Sequence, residues 1–136
     1  VLTMFLALDA QVELYKGGIV PLREFAEQKK DRDILVRVIV LKKTAKFSYQ
    51  SVRNSQTDIP VLTCAAVKDE NGYRFAIGAR PGRAMLFAPA GDTAEQMAEA
   101  VQNEVQTGSS LRGSAAYRKH LVGVLVRRAV QALDAQ

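Results

Sequence analysis

The stretch from Gly108 to Leu133, near the end of the chain, constrains the fold more than any other. From Ser114 onward it predicts one long helix, because a serine hydroxyl at the N-cap accepts a hydrogen bond from a free amide of the first turn. An apolar stripe recurs at three- and four-residue spacing and comprises Tyr117, Leu121, Val124, Leu125, Ala129, Ala132 and Leu133. Four cations mostly flank the stripe: Arg118, Lys119, Arg127 and Arg128. Such a stripe needs a large apolar surface to cover it, which only a sheet upstream can supply.

Residues 47–87 supply that sheet. Four segments have the composition of strands with turn signals between them: 47–52, 59–67, 73–79 and 84–87. Glu70-Asn71-Gly72 predicts a hairpin turn, because Asn-Gly tolerates the positive φ angles that tight hairpins need. A second helix is predicted from Thr93 to about Gln106, where Thr93 and Gln96 form a capping box. This order predicts an α+β fold, in which an antiparallel sheet of three to four strands packs on helices.

The first part of the chain is less regular. Two short strands are predicted at 11–15 and 19–22, then a helical turn and a loop within 23–33, and then a strand at 34–41. The strand at 34–41 is rich enough in β-branched and apolar residues to be buried on both faces. Residues 1–8 are too short a run to decide between helix and strand. A change of composition at 42–46 predicts a boundary between one unit, 1–42, and a second, 43–136.

Composition excludes several classes of function. The net charge of +5 comes from basic residues scattered along the chain, which indicates surface charge rather than a nucleic-acid-binding site. The apolar run after Val1 is too short to span a membrane and lacks the basic flank of a signal peptide, so we interpret it as the middle of a longer protein. A single cysteine is typical of a reducing compartment, here the cytoplasm. With one histidine beside it, zinc and iron–sulfur sites lack their usual soft ligands.

No residue pattern indicates a catalytic group. His120 lies within the final helix, where a partly exposed surface position is the ordinary interpretation. Cys64 lies in a predicted strand, which favours a buried and inert thiol. Ser109, Ser110 and Ser114 have no evident histidine and carboxylate partners in the sequence. The segment 78–83 lacks the glycine spacing of a phosphate-binding loop, so we predict a connecting turn with two exposed arginines.

The polar segment from Phe47 to Asp58 allows two interpretations. Its aromatic, amide and hydroxyl groups could line the edge of a cofactor. It could equally be an edge strand followed by a polar loop that an Arg53–Asp58 ion pair holds, and an exposed pair of that kind contributes only about 0–1 kcal/mol. The residues alone leave both open.

The closing helix also carries a family resemblance. Gly113-Ser-Ala-Ala-Tyr-Arg-Lys-His-Leu121, followed by Val124-Leu-Val-Arg-Arg-Ala129, resembles the last helix of the FAD-binding (medium) subunits of molybdenum hydroxylases, which include xanthine dehydrogenase and carbon monoxide dehydrogenase. Further segments resemble the same family in the same order: 7–14, 19–25, 33–40, 49–59 and 75–79. The resemblance therefore extends over nearly the whole chain.

The resemblance implies a division of the chain and a set of flavin contacts. Residues 1–42 correspond to the tail of the FAD-binding subdomain, and 43–136 to the flavoprotein C-terminal domain. Leu35 matches a strand leucine that packs near the flavin. The family's lysine falls at Gln50 or Ser51, beside Tyr49, and neither residue is a lysine. The contact there is then a neutral hydrogen bond at most. Most of the family's phosphate contacts lie outside this sequence, so we expect the isolated chain to bind FAD weakly or not at all.

The resemblance also implies a function. The chain would belong to an electron-transfer subunit that passes electrons from iron–sulfur clusters to FAD and on to NAD or another acceptor. Partner subunits would hold those clusters and the molybdenum cofactor, and this chain would contain neither a catalytic residue nor a metal ligand. We also expect self-association through an exposed apolar face. The alternative is a non-enzymatic α+β interaction module that shares the fold and does not bind FAD.

Overall fold

The computed structural model describes residues 1–29 and 32–136 of the chain. Its helices are α1 (Leu2–Ala7), α2 (Leu22–Glu27), α3 (Ala94–Glu104) and α4 (Ala115–Asp134). Its strands are β1 (Gln11–Leu14), β2 (Gly18–Pro21), β3 (Leu35–Ile39), β4 (Lys46–Val52), β5 (Leu62–Asp69), β6 (Gly72–Gly78) and β7 (Met85–Phe87). The first residues, which the sequence left undecided, thus form a helix. The loop predicted to end the 23–33 segment includes Lys30 and Asp31, which lie outside the described residues.

The main sheet has four antiparallel strands in the order β4-β5-β6-β7. Strands β5 and β6 are joined by the predicted hairpin, in which Asp69 pairs with Gly72. Gly72 has a φ of 100°, a conformation that glycine adopts readily. Residues 62–67 of β5 are all buried, because both faces of this central strand are covered.

Helices α3 and α4 cover one face of the main sheet. Their buried residues form the larger core with the inward side chains of the strands, including Leu62, Cys64 and Phe75. Both predicted N-caps are present. Thr93 and Gln96 form the capping box of α3, and Ser114 Oγ accepts a hydrogen bond from the Tyr117 amide at 3.1 Å. The predicted α+β fold, with a sheet packed on helices, is confirmed.

The opposite face of the main sheet is covered by α1, and a second antiparallel sheet in the order β2-β1-β3 contributes to the same apolar cluster. Ala65 of β5 and Ala76 of β6 present small side chains on this face, and Leu6 and Ala7 of α1 pack in the same cluster. Val12 of β1 is fully buried there. The second core therefore contains residues from both the first and the second part of the chain.

The prediction that the strand at 34–41 is buried on both faces was wrong for this structure. Leu35 is 43% exposed and Val36 is 54% exposed, and their neighbours along β3 are similarly accessible. Strand β3 pairs only with β1 and lies at the edge of its sheet. Its composition gave the right secondary structure, but composition does not determine whether other residues cover a strand.

The predicted stripe of α4 is displaced at its start. Tyr117 is exposed, whereas Arg118, expected to flank the stripe, is 1% exposed. The buried face also includes Val122, Val126 and Val130, which the stripe omitted. The helix is covered over a wider arc than the spacing suggested because α3 packs beside it as well as the sheet.

Within the parts of the chain that the structure describes, no helix combines the length and the apolar character needed to cross a membrane.

Candidate functional site

A cleft lies where strands β4 and β6 end, on the side of the main sheet that α1 covers. We call it the Tyr49 cleft; it has a volume of about 390 Å³. Its lining includes Leu2, Tyr49, Arg53, Pro60, Ala79 and Arg83. The start of α1, the connection between β4 and β5, and the connection between β6 and β7 meet there, so the topology of the sheet forms its walls.

A second cleft adjoins the first. We call it the Leu35 cleft; it has a volume of about 460 Å³, and its lining includes Leu2, Leu22, Phe25, Leu35 and Arg83. Leu2 and Arg83 line both clefts. The two regions for which the sequence predicted flavin contacts, Leu35 and Tyr49, are far apart in the chain but are brought to neighbouring clefts with shared walls.

The register of β4 separates the predicted site residues. Tyr49 pairs with Ala65 and Gln50 pairs with Cys64, so adjacent side chains on β4 follow the two different faces of the sheet. Tyr49 is 37% exposed, and Ser51 is exposed on the same face. Gln50 lies on the face that α4 covers, where its amide donates to Ser48 Oγ at 3.3 Å. The structure thus brings Tyr49 and Ser51 together and places Gln50 on the other side.

The floor of the Tyr49 cleft is held by a close approach of α1 to the sheet. The hydroxyls of Thr3 and Thr63 are buried and lie 3.2 Å apart, within hydrogen-bond distance. Both contact Gly78, which pairs with Thr63 across the strands. Ala79, the next residue, has a φ of 58°, in the left-handed region that non-glycine residues seldom occupy. The end of β6 is therefore tightly fixed.

The turn after β6 is more constrained than predicted. Arg80 is half-buried, and its guanidinium donates to the Arg83 and Gln106 carbonyls, both at 2.6 Å. Arg83 is exposed and donates to the carbonyl of Glu27 at 3.0 Å. The turn holds two arginines as expected, but only Arg83 is exposed. Arg83 joins this turn to the end of α2.

The predicted Arg53–Asp58 ion pair is not formed between the two side chains. Arg53 donates to the backbone carbonyl of Asp58, whereas the Asp58 carboxylate accepts from Arg112 Nε at 3.2 Å. The amide of Ile59 also donates to this carboxylate, and it is the main cause that lowers the pKa of Asp58, followed by Arg112. The connection between β4 and β5 is thus fixed to the turn that precedes α4.

Arg118 organises that same turn, although the sequence pattern predicted only that it flanks the apolar stripe of the helix. Its Nε donates to the Val61 carbonyl at 2.9 Å, and its Nη1 donates to the carbonyls of Gly108 and Gly113 at 2.7 and 2.6 Å. Its Nη2 donates to Ser110 Oγ at 2.6 Å. The signal available in the sequence was the glycine- and serine-rich turn just before the helix, whose carbonyls need donors.

The other candidate groups show no catalytic arrangement. Cys64 is fully buried, and burial raises the pKa of its thiol to about 12. His120 is exposed on α4. Ser109 Oγ accepts from the Ala115 amide, so it helps to form the start of the helix. Among residues 1–29 and 32–136, no group of three or more histidine, cysteine, aspartate or glutamate side chains is placed to hold a metal ion.

Comparison with known proteins identifies the fold and the family. The relative YgfM of Escherichia coli K12, an uncharacterized protein, is 29% identical, and the match covers 92% of this chain and 49% of YgfM. Carbon monoxide dehydrogenase from Hydrogenophaga pseudoflava has a chain that matches 98% of this one at 19% identity, with a TM-score of 0.82. Quinoline 2-oxidoreductase from Pseudomonas putida 86 matches 97% at 19% identity, with a TM-score of 0.80.

These matches cover about half of each similar protein: 49% of YgfM, 55% of the carbon monoxide dehydrogenase chain and 54% of the quinoline 2-oxidoreductase chain. At such identities the solved structures establish a common fold. The family assignment comes from the sequence itself, because the profile of the CO dehydrogenase flavoprotein C-terminal domain matches residues 47–133. The family resemblance of the sequence is thereby confirmed, and the chain belongs to the CO dehydrogenase flavoprotein C-terminal domain family.

Proposed function

We propose that this chain is part of the FAD-carrying electron-transfer subunit of a molybdenum hydroxylase. The family assignment supports a flavoprotein. The observation that carries the proposal in the structure is the meeting of the Leu35 cleft and the Tyr49 cleft at Leu2 and Arg83. A bound FAD would supply the electron-transfer chemistry, and the protein would supply position and electrostatics.

The side chains around the joined clefts suit a flavin. An isoalloxazine ring has a broad apolar surface and a polar pyrimidine edge, so it needs apolar contacts and hydrogen-bond donors together. Leu2 and Leu35 offer the apolar contacts, and the aromatic ring of Tyr49 adds a stacking surface. Arg53 and Arg83 are the charged donors. Each cleft lies within the range of about 300–1,000 Å³ that is usual for ligand sites.

Ser51 stays in the proposed site, since it shares the exposed face of Tyr49. Gln50 does not, because its side chain follows the face that α4 covers. This difference within one strand provides a matched test. Tyr49→Ala and Gln50→Ala remove neighbouring side chains of the same strand from opposite faces.

The experiment measures FAD binding to the full-length protein that contains this chain. We expect the wild type and Gln50→Ala to bind FAD with similar dissociation constants, by titration of flavin fluorescence. Tyr49→Ala should weaken binding about tenfold, since stacked aromatic contacts contribute about 0.5–1.5 kcal/mol beyond the area they bury. Equal affinities of the two variants would contradict the placement of the site, and a wild type that never retains FAD would contradict the function.

A second measurement concerns the 136-residue chain by itself. We expect it to bind FAD with a dissociation constant above about 1 μM, because the family resemblance implies that most of the phosphate contacts lie outside this sequence. Tighter binding would mean that the two clefts described above provide most of the affinity.

The remaining parts of the proposal concern the whole complex. We propose a xanthine dehydrogenase-like arrangement, in which one partner subunit holds the molybdenum cofactor and another holds iron–sulfur clusters, with NAD or another molecule as the final acceptor. The carbon monoxide dehydrogenase with the same fold is described as lacking one part of its molybdenum cofactor, which supports a molybdenum-containing complex. The iron–sulfur subunit and the acceptor NAD rest on the sequence resemblance. A cytoplasmic location is part of the proposal and is supported by the single cysteine, which is buried and reduced.

The exposed strand β3 favours a second candidate, an interaction module without FAD. Leu35, Val36 and Val38 are accessible along an unpaired sheet edge, and such surfaces usually bind other polypeptides. We propose that this surface also drives self-association of the isolated chain. Sedimentation velocity over a range of concentrations tests this, and a chain that stays monomeric throughout would contradict it. Colourless full-length protein that still self-associates would favour the interaction module.

A further inference from the structure

Arg118 is a buried cation whose acceptors are all neutral. It is 1% exposed, and its four hydrogen bonds reach three backbone carbonyls and one serine hydroxyl. Among the described residues, no carboxylate lies within ion-pair distance of it. Burial of a charge without a counter-ion is costly unless hydrogen bonds replace the lost water. The position therefore requires a rigid planar group with several donors, a requirement that only arginine meets.

The groups that Arg118 holds adjoin both walls of the Tyr49 cleft. Val61, whose carbonyl accepts from Arg118 Nε, directly follows Pro60, which lines the cleft. Gly108, whose carbonyl accepts from Nη1, donates its own amide to the Arg80 carbonyl at 2.9 Å. Arg80 directly follows Ala79, which lines the cleft from the other connection.

Arg80 strengthens the second of these links. Its guanidinium donates to the carbonyl of Gln106, in the same connection between α3 and α4 that Arg118 holds. A single side chain on α4 thus fixes the connection between β4 and β5 directly, and the connection between β6 and β7 through Gly108. Neither of these wall segments has regular secondary structure of its own to fix it.

We propose that Arg118 is a positioning residue for the flavin site, which sets the separation of the two cleft walls without contacting the cofactor. This inference rests on the proposed function, because it assigns the Tyr49 cleft to the flavin. Loss of the guanidinium removes one of the bonds that hold each wall, so the walls become less ordered. The protein must then order them when FAD binds, which weakens binding.

The test compares two arginine-to-lysine variants of the full-length protein. Arg118→Lys keeps the charge but cannot make the planar set of four bonds. Arg74→Lys is the control: Arg74 is half-buried and bonded to Asp69 at 2.8 Å, but it lies beside the hairpin at the other end of the sheet. We expect Arg118→Lys to weaken FAD binding about tenfold, and Arg74→Lys to leave it within about twofold.

A purely structural role would give a different result. Both variants should lower the urea concentration at half-unfolding, so FAD titrations are made well below that concentration. If Arg118→Lys is destabilised but binds FAD within about twofold of the wild type, the positioning role is refuted. Ser110→Ala removes one acceptor without touching either wall, and we expect it to affect FAD binding much less than Arg118→Lys.

Hydrogen exchange tests the same proposal without the cofactor. Peptides covering 59–62 and 79–84 should exchange faster in Arg118→Lys than in the wild type, and should be unchanged in Arg74→Lys. Unchanged exchange in Arg118→Lys would refute the coupling of Arg118 to the walls. A wild type that binds no FAD would refute the proposed function instead, and the exchange result would still decide whether Arg118 holds the two segments.

Discussion

Replacement of Gly78 by alanine tests the close approach of α1 to the sheet. A β-carbon at this position would lie 2.2 Å from Oγ1 of Thr3 and 2.8 Å from Oγ1 of Thr63. Both distances are far below van der Waals contact, and neither threonine can turn away easily, because β-branched side chains are stiff at χ1. The methyl group must therefore push α1 away from the sheet or break the contact between the two hydroxyls.

The cost follows from the contacts it disturbs. Insertion of a methyl group into a packed site costs about 1–3 kcal/mol, and loss of the Thr3–Thr63 hydrogen bond adds about 1 kcal/mol. Alanine offsets about 0.5–1 kcal/mol of this loss, because it lowers the conformational entropy of the unfolded chain relative to glycine. The net loss expected for Gly78→Ala is thus about 1–3.5 kcal/mol, a large part of the roughly 5–15 kcal/mol of a typical domain.

Urea unfolding followed by circular dichroism measures the loss, and a second substitution identifies its cause. Thr3→Ala removes the atom closest to the new methyl group, so Gly78→Ala should cost at least about 1 kcal/mol less in a Thr3→Ala background. Thr3→Ser keeps the hydroxyl, so in that background the cost of Gly78→Ala should fall much less. If Gly78→Ala is neutral, or if its cost is the same in both backgrounds, the packing of Thr3 on Gly78 does not limit this site.

Three further predictions concern separate features. Ala79→Gly should raise the free energy of unfolding by about 0.5–1 kcal/mol by removing the left-handed strain at φ 58°; a lower unfolding midpoint would contradict this. Cys64, with a thiol pKa raised to about 12 by burial, should resist a disulfide reagent in the native protein and react after denaturation; rapid native labelling would contradict its burial. The pKa of Asp58 is lowered in the folded state from its usual 3.8. The ionised carboxylate therefore stabilises the folded protein at pH values above 3.8, and this contribution is lost as the pH falls through the lowered pKa of the folded state. Asp58→Asn should therefore reduce the loss of stability in acid, and an unchanged pH profile would count against the Asp58 contacts.

Local patterns predicted the elements that depend on neighbours in sequence. The capping box at Thr93, the N-cap at Ser114 and the hairpin at Gly72 each follow from a few adjacent residues, and the structure contains all three. The alternation of strands and helices was enough to predict the α+β class, because each amphipathic element has few ways to bury its apolar face.

Features that depend on distant partners were not predictable in this way. Asp58 pairs with Arg112, which is 54 residues away, rather than with the nearer Arg53. Arg118 was assigned to the flank of its helix by spacing, yet the carbonyls of a preceding turn make its position a buried one. For the candidate site, the sequence indicated the segment around Tyr49, but the faces of β4 emerged only from the strand register.

The placement of α1 has a consequence for how the chain withstands cleavage. Residues 40–45, which join β3 to β4, are exposed and lack regular structure, so a protease should cut there first. Leu6 and Ala7, before this connection, share a core with Ala65 and Ala76, after it. A nick in the connection would leave two polypeptides that still bury the same apolar surface. The nicked protein should therefore remain a non-covalent complex, and the two pieces behave as halves of one packing unit.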